Sequence, residues 1–163
     1  MALKADRYEE STDISFFYND GTATRGGVVV LDGSPINASG AAMDQGANLV
    51  KYAAADKSSV PVGVLLNDVV NKDLTRTHLN QYKDEVQKGG KVTVLTRGWV
   101  VTSNITGTPS AGDVAYLDET TAGNVGNATD LSYSSGVMAV GRFMSKKDAD
   151  GYAKLYVNLP NLG

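Results

Sequence analysis

The sequence predicts a mostly β protein built as a single small domain. Three observations support this fold class. Short β-branched runs such as Val28-Val29-Val30 recur along the chain, each bounded by glycine or Asp-Gly. Glycine accounts for 18 of 163 residues, about 11% against an average near 7%. Charged residues make up only 20%, which is low for a long-helix or coiled-coil protein. Many short strands with regular turn signals favour a barrel or a sandwich.

Five segments carry the clearest strand signals. Residues 91–96 and 98–102 predict a strand pair with a bulge or bend at Arg97-Gly98. Residues 137–144 and 152–159 predict a hairpin, because Asp150-Gly151 between them tolerates the positive φ of a tight turn. Residues 60–66 predict a further strand with Pro61 near its edge, since proline cannot donate to a ladder.

One segment departs from the β pattern and predicts a short helix near residues 74–87. Apolar and aromatic side chains recur there at helical spacing, and Gly89-Gly90 follows as a stop signal. The periodic positions are Leu74, His78, Leu79, Tyr82 and Val86.

The N-terminal residues 1–25 differ from the rest of the chain. They are polar and charged, apart from Phe16-Phe17-Tyr18 before the turn-like Asn19-Asp20-Gly21. Disordered tails are depleted in aromatic residues, so we interpret residues 1–25 as an extended arm or a loosely attached first strand, with a frayed terminus as the alternative. Residues 26–163 are then the β-rich domain.

Composition excludes several functional classes. The chain has no cysteine, so it cannot carry a disulfide framework, a thiol nucleophile or a cysteine-based zinc site. Its net charge is −3, without the basic stripe that nucleic-acid binding requires. The first residues contain no apolar signal region, and no apolar run approaches a membrane span. We therefore expect a soluble protein without a nucleic-acid or membrane partner.

The sequence does not predict an enzyme or a metal site. His78 is the single histidine, and no Gly-x-Ser-x-Gly motif presents a nucleophile. The acidic turn ending at Gly151 fails the calcium-loop pattern because Val157 stands where a glutamate is needed. Gly89-Gly90-Lys91 lacks the spacing of a phosphate loop. We expect no cofactor and no small-molecule substrate.

Trp99 is the only tryptophan, and it is flanked by Val100-Val101. A tryptophan in an apolar strand is more typical of a core than of a binding surface, and the same holds for Tyr116 and Tyr156. The alternative is a carbohydrate-binding or adhesin module, which predicts that Trp99 or the tyrosines line an open face.

The C-terminal half has a pattern of glycine-spaced short strands that ends on a proline-capped tail. The stretches that carry it are residues 60–65, 91–100, 110–116, 140–143 and 151–160, the last reading Gly-Tyr-Ala-Lys-Leu-Tyr-Val-Asn-Leu-Pro. Over roughly residues 60–160 this pattern resembles the head decoration, or cement, proteins of tailed bacteriophages.

The resemblance implies a non-enzymatic virion protein. Its body would be a small β-barrel or β-tulip that forms a homotrimer on the outer surface of the expanded capsid. It would bind between capsomers and hold neighbouring major capsid subunits against internal DNA pressure. It would be made in the cytoplasm of the bacterial host.

We expect the N-terminal arm to contact the major capsid protein or an adjacent copy, through Arg7, Tyr8, Phe16, Phe17 and Tyr18. Deleting residues 1–20 is then expected to weaken attachment and leave the body folded. Another virion part, such as a tail or baseplate component, remains a rival alongside the carbohydrate-binding module.

Overall fold

The computed structural model describes residues 2–21, 23–33, 48–52, 59–69, 85–86, 90–132 and 137–159. These residues form twelve strands and contain no helix, which confirms the mostly β class. The strands are β1 Leu3–Asp13, β2 Phe17–Tyr18, β3 Val28–Leu31, β4 Leu49–Lys51, β5 Pro61–Leu65, β6 Asp68–Val69, β7 Glu85–Val86, β8 Val94–Thr102, β9 Val114–Leu117, β10 Val125–Gly126, β11 Ala139–Phe143 and β12 Ala153–Asn158. Within the same ranges, no helix has the length and apolarity needed to cross a membrane.

The predicted helix at 74–87 lies outside the described residues except at its end. There, Glu85–Val86 forms strand β7 and pairs in parallel with β6. The helix is therefore not confirmed, and Glu85 and Val86, near its predicted end, are in a strand. Local helical spacing was overridden at this point by pairing with a segment distant in sequence, as commonly happens for short elements.

Strand β8 organises the main sheet. At Leu95 it pairs with β1 and β5, and at Trp99 it pairs with β1 and β12. Because a strand has two edges and β1 follows one of them throughout, β12 and β5 must occupy the other edge in succession. Strand β8 thus joins two parts of the sheet, one built on β12 and one on β5.

The strand pair predicted at 91–96 and 98–102 is instead one continuous strand over Val94–Thr102. Gly98 has a φ of +139°, and a Cβ on it would lie 2.1 Å from the carbonyl oxygen of Tyr8. Glycine therefore lets β1 approach closely, and the chain continues as a strand instead of turning. The irregularity predicted at Arg97-Gly98 is present, since the register between β1 and β8 shifts beside Arg97.

The predicted β-barrel or β-tulip is not confirmed, because the described sheet is open. Its strand order is β10-β9-β11-β12-β8-β5-β3-β4-β2, with β1 paired to β8 outside this path. Isolated bridges link Ile105 to Val125 and Phe17 to Lys91, but they are not continuous ladders. The physical reason is that the sheet divides at β8 into two parts and packs on two separate hydrophobic cores, so it does not close around a single core.

The two cores lie on opposite faces of β3 and β5. Val28 and Val30 of β3 contact the larger core, whereas Val29 between them contacts the smaller one. In β5, Val64 and Leu65 divide in the same way. Burial on both faces explains why these strands read as unbroken apolar runs.

The predicted hairpin at the C-terminal end is present. Strands β11 and β12 are antiparallel, with Phe143 opposite Leu155, and Gly151 in their connection has a φ of +86°. Both Phe143 and Leu155 are fully buried in the larger core. Since β12 also pairs with β8, this hairpin holds one half of the sheet together.

The N-terminal segment is anchored to the body at two points. Leu3 is buried in the larger core and Tyr18 in the smaller one. Between them, residues 5–12 of β1 are exposed while pairing with β8 along one edge. The segment predicted as an extended arm or a loosely attached first strand therefore contains an exposed strand, and it is anchored by the buried Leu3 and Tyr18.

Candidate functional site

The five side chains predicted to contact partners do not form one surface. Arg7 and Tyr8 are exposed on β1, Phe16 and Phe17 are half-buried, and Tyr18 is 1% exposed. Their partner role stays a prediction, and it rests on the four side chains that retain accessible surface.

Tyr18 belongs to the smaller core. Its ring packs edge-on against Tyr52, with centroids 6.1 Å apart and an interplanar angle of 86°. Burial, and then the nearby Asp20 carboxylate, raise the pKa of Tyr18 well above its ordinary value. The phenol is therefore neutral and acts as a packing group.

Phe16 lines a shallow apolar groove at the end of β1. Two of the groove's other side chains are also accessible, Leu31 at 47% and Val60 at 41%. The lining residues are Asp13, Phe16, Leu31, Val60, Pro61, Val62 and Thr96.

A row of aromatic and basic residues crosses the outward face of the sheet. Tyr8 of β1 lies opposite Trp99 of β8, which lies opposite Tyr156 of β12, which lies opposite Arg142 of β11. Directly opposed residues share a face, and neighbouring strands lie about 4.8 Å apart. Leu155 on the reverse side is fully buried, so this row points away from the larger core.

Two further cations join the row through contacts with its rings. The Lys154 ammonium lies 3.6 Å from the centroid of the Trp99 ring, a cation–π contact. Arg97 lies two residues from Trp99, and its side-chain hydrogen bond with Tyr156 places it on the same face. We define the aromatic face by these residues: Tyr8, Arg97, Trp99, Arg142, Lys154 and Tyr156.

The electrostatics of the aromatic face are dominated by cations. A hydrogen bond with Tyr156, and then the Glu10 carboxylate, raise the pKa of Arg97. The Arg97 Nε lies 2.8 Å from the Glu10 carboxylate. Arg142 donates to the Gly112 carbonyl. Three cations thus face outward, and one of them is paired with Glu10.

Sequence reasoning expected Trp99 and Tyr156 in the core, and the structure corrects this. Both are half-buried on the outward face, and Tyr116 is a half-buried ring packed at the margin of the larger core. Side chains alternate along β8, so Val100 takes the core position and Trp99 the outward one. Around Trp99 the run Trp-Val-Val gives no polar–apolar alternation from which its face could be assigned, whereas in β12 the alternation around Leu155 places Tyr156 on the opposite face.

A buried carboxylate supports the loop between β9 and β10. Asp118 is 2% exposed and accepts hydrogen bonds from the Thr120 amide and hydroxyl, both at 2.7 Å, and from the Thr106 hydroxyl. Burial alone would raise the pKa of Asp118, but these hydrogen bonds together lower it below the ordinary value. The arrangement holds two segments together and presents no nucleophile.

A model of the family described as structural cement protein (E217 gp24/Pam3 gp6) matches residues 10–158. The chain belongs to this phage cement family. No curated protein matches the sequence. As a cement protein, this chain is a phage structural protein that stabilises the capsid and is a component of the virion. The resemblance first found over residues 60–160 is thereby confirmed and extends to residue 10.

The cement family implies a structural role without catalysis. Among the described residues, no group of three or more carboxylates and histidines could hold a metal ion, and His78 lies outside them. The aromatic face of this cement protein lies inside the matched region except for Tyr8, which is two residues before it.

Proposed function

We propose that this cement protein binds the outer surface of the expanded capsid between capsomers and stabilises it against internal DNA pressure. It acts as a homotrimer after synthesis in the host cytoplasm. Its N-terminal segment contacts the major capsid protein or an adjacent copy. The observation that carries the proposal is the family match over most of the chain, residues 10–158.

The exposed N-terminal strand supports the contact assigned to it. Strand β1 presents eight consecutive exposed residues and has one edge paired with β8. An edge strand with accessible side chains is a common element of protein–protein association. Many modest contacts repeated over a lattice give strong attachment without one tight site.

Because Leu3 and Tyr18 are buried in the two cores, the partner contact of the N-terminal segment is better tested by a point substitution than by deletion. Deletion of residues 1–20 removes Leu3 and Tyr18 from the two cores, so it also destabilises the body. Replacing Arg7 by serine changes an exposed residue that contacts Glu9. We expect this variant to keep the fold and to bind heads more weakly, as measured by co-sedimentation.

The carbohydrate-binding alternative is favoured by one observation, the outward position of Trp99 and Tyr156. Sugars stack on open aromatic faces, whereas the Lys154 ammonium lies over the Trp99 ring at 3.6 Å. The ring is therefore already occupied by a cation of its own chain. This contact makes a glycan the weaker candidate.

Co-sedimentation with phage heads lacking the protein tests the proposal. We expect binding to expanded heads and not to unexpanded ones, with saturation at a fixed ratio to the capsid protein. Heads loaded with the protein are also expected to retain DNA to a higher temperature than bare heads. Equal binding to both head forms, or no gain in DNA retention, would contradict the proposed role.

A further inference from the structure

We propose that the aromatic face is the surface that docks on the capsid, and that it fits an acidic patch of the major capsid protein. The inference rests on the proposed function and assigns the partner surface to one side of the sheet. The face is the one on which Tyr8, Trp99 and Tyr156 lie in a single cross-strand row.

The composition of the aromatic face is that of a protein–protein interface core. Tryptophan, tyrosine and arginine are the residues most enriched where truncation costs most binding energy. Tyr8 is 54% exposed in the single chain. Tyrosine is enriched at protein interfaces, where a partner covers its ring, so this exposed ring is available for such a contact. Met144, the residue after the end of β11, is also 54% exposed, and its amide donates to the Lys154 carbonyl 2.7 Å away.

Charge indicates the chemistry of the partner. The whole chain carries a net charge of −3, yet the aromatic face brings together Arg97, Arg142 and Lys154. Glu10 pairs with Arg97 at the edge of the face. A partner surface bearing carboxylates would complement this local excess of cations, and charge complementarity of this kind sets specificity and association rate.

The ring contacts argue for a protein over a sugar or a nucleic acid. Base or sugar stacking requires an open ring face, and the Lys154 ammonium is centred 3.6 Å from the Trp99 ring. A carboxylate approaching the same lysine leaves that cation–π contact in place. The face is therefore arranged to present a fixed cation on an aromatic platform.

Binding to expanded heads by variants of the intact protein tests the inference. Tyr8→Ser and Lys154→Glu change the face, and Lys146→Glu and Asp150→Asn are control changes at exposed positions outside the face. We expect the two face variants to raise the apparent Kd about tenfold or more, and the controls to stay within about twofold. Urea unfolding of each variant verifies the fold.

Hydroxyl-radical footprinting of the wild-type protein gives a second readout. We expect Tyr8, Trp99 and Tyr156 to be protected on heads, and Leu31 to react as in the free protein. The same protection in the free protein at rising concentration would assign the face to self-association and overturn the inference.

The outcomes separate the two proposals. If the wild type binds expanded heads and the face variants bind equally well, the assignment of docking to the aromatic face is wrong, while the proposed function stands. If Lys146→Glu weakens binding as much as Lys154→Glu, the electrostatic attraction is diffuse and the assignment of docking to the aromatic face is wrong. If the wild type binds no heads, the proposed function fails, and this inference with it.

Discussion

Replacing Asp118 by asparagine removes one charge from the most extensively hydrogen-bonded buried carboxylate of the described residues. The side chain is 2% exposed and accepts from Thr120 twice and from Thr106 once. Asparagine keeps the shape and one acceptor oxygen. The change therefore isolates the contribution of the charge and of one acceptor.

The expected magnitude follows from these three hydrogen bonds. A hydrogen bond to an ionised acceptor contributes about 1.5–3 kcal/mol, against about 1 kcal/mol for a neutral one. Asparagine still accepts from Thr120 and can donate to the Thr106 hydroxyl, so the charge assistance and one acceptor are lost. We expect the free energy of unfolding to fall by about 2–3 kcal/mol, which lowers Tm by roughly 4–12 °C for a chain of this size.

The effect of Asp118→Asn depends on pH with a defined sign. The pKa of Asp118 is lower in the folded protein than its ordinary value, which is about 3.9 in an unfolded chain. Its stabilisation is therefore complete above that value and is lost as the pH falls through the folded pKa. The stability difference between wild type and variant should stay constant between about pH 5 and 7 and narrow below about pH 4.

Urea unfolding followed by circular dichroism at several pH values measures this difference. Asp113 and Asp148 also have lowered pKa values, but they are present in both proteins and cancel in the comparison. The exposed Asp150→Asn is the matched control and should change stability by less than about 0.5 kcal/mol. A difference at Asp118 below about 0.5 kcal/mol at neutral pH, or one that does not narrow in acid, would refute the reasoning.

Two further changes test the packing around β8 and β12. Thr102→Val should lower stability by about 1–3 kcal/mol in urea unfolding, because the buried Thr102 hydroxyl donates to the Gly26 carbonyl at 2.6 Å; an unchanged urea midpoint would argue against that bond. Gly141→Ala should give a protein that folds poorly or is several kcal/mol less stable, since a Cβ there would lie 1.9 Å from the Tyr156 carbonyl oxygen. Gly21→Ala meets no atom within 4 Å and should be close to neutral, so equal effects at the two glycines would contradict the steric argument.

The hairpin between β11 and β12 could be predicted because its signals are local. Asp150-Gly151 supplies the turn, and the alternation around Leu155 in β12 marks one buried face. The strand at Val28 was equally clear from its β-branched run. Such signals depend on a few consecutive residues, so they can be read from the chain without its partners.

The role of Gly98 could not be predicted, because it depends on the position of β1. In the sequence Gly98 reads as a bend, whereas in the structure its missing side chain leaves room for the Tyr8 carbonyl and β8 continues past it. The helix predicted at 74–87 shows the same limit at Glu85–Val86, where pairing with β6 decides the structure.

The sequence by itself determined the β class, the absence of cysteine chemistry and the resemblance to cement proteins, because composition and local turn patterns are properties of the chain. Only the tertiary structure decided that Trp99 and Tyr156 face outward beside Tyr8, and that Tyr18 is buried. These positions depend on strand register and on which face each core covers, and a shift of one residue would reverse them. The aromatic face therefore forms only when β1 pairs with β8, β8 with β12, and β12 with β11. Strand β1 is far from the other three strands in the sequence.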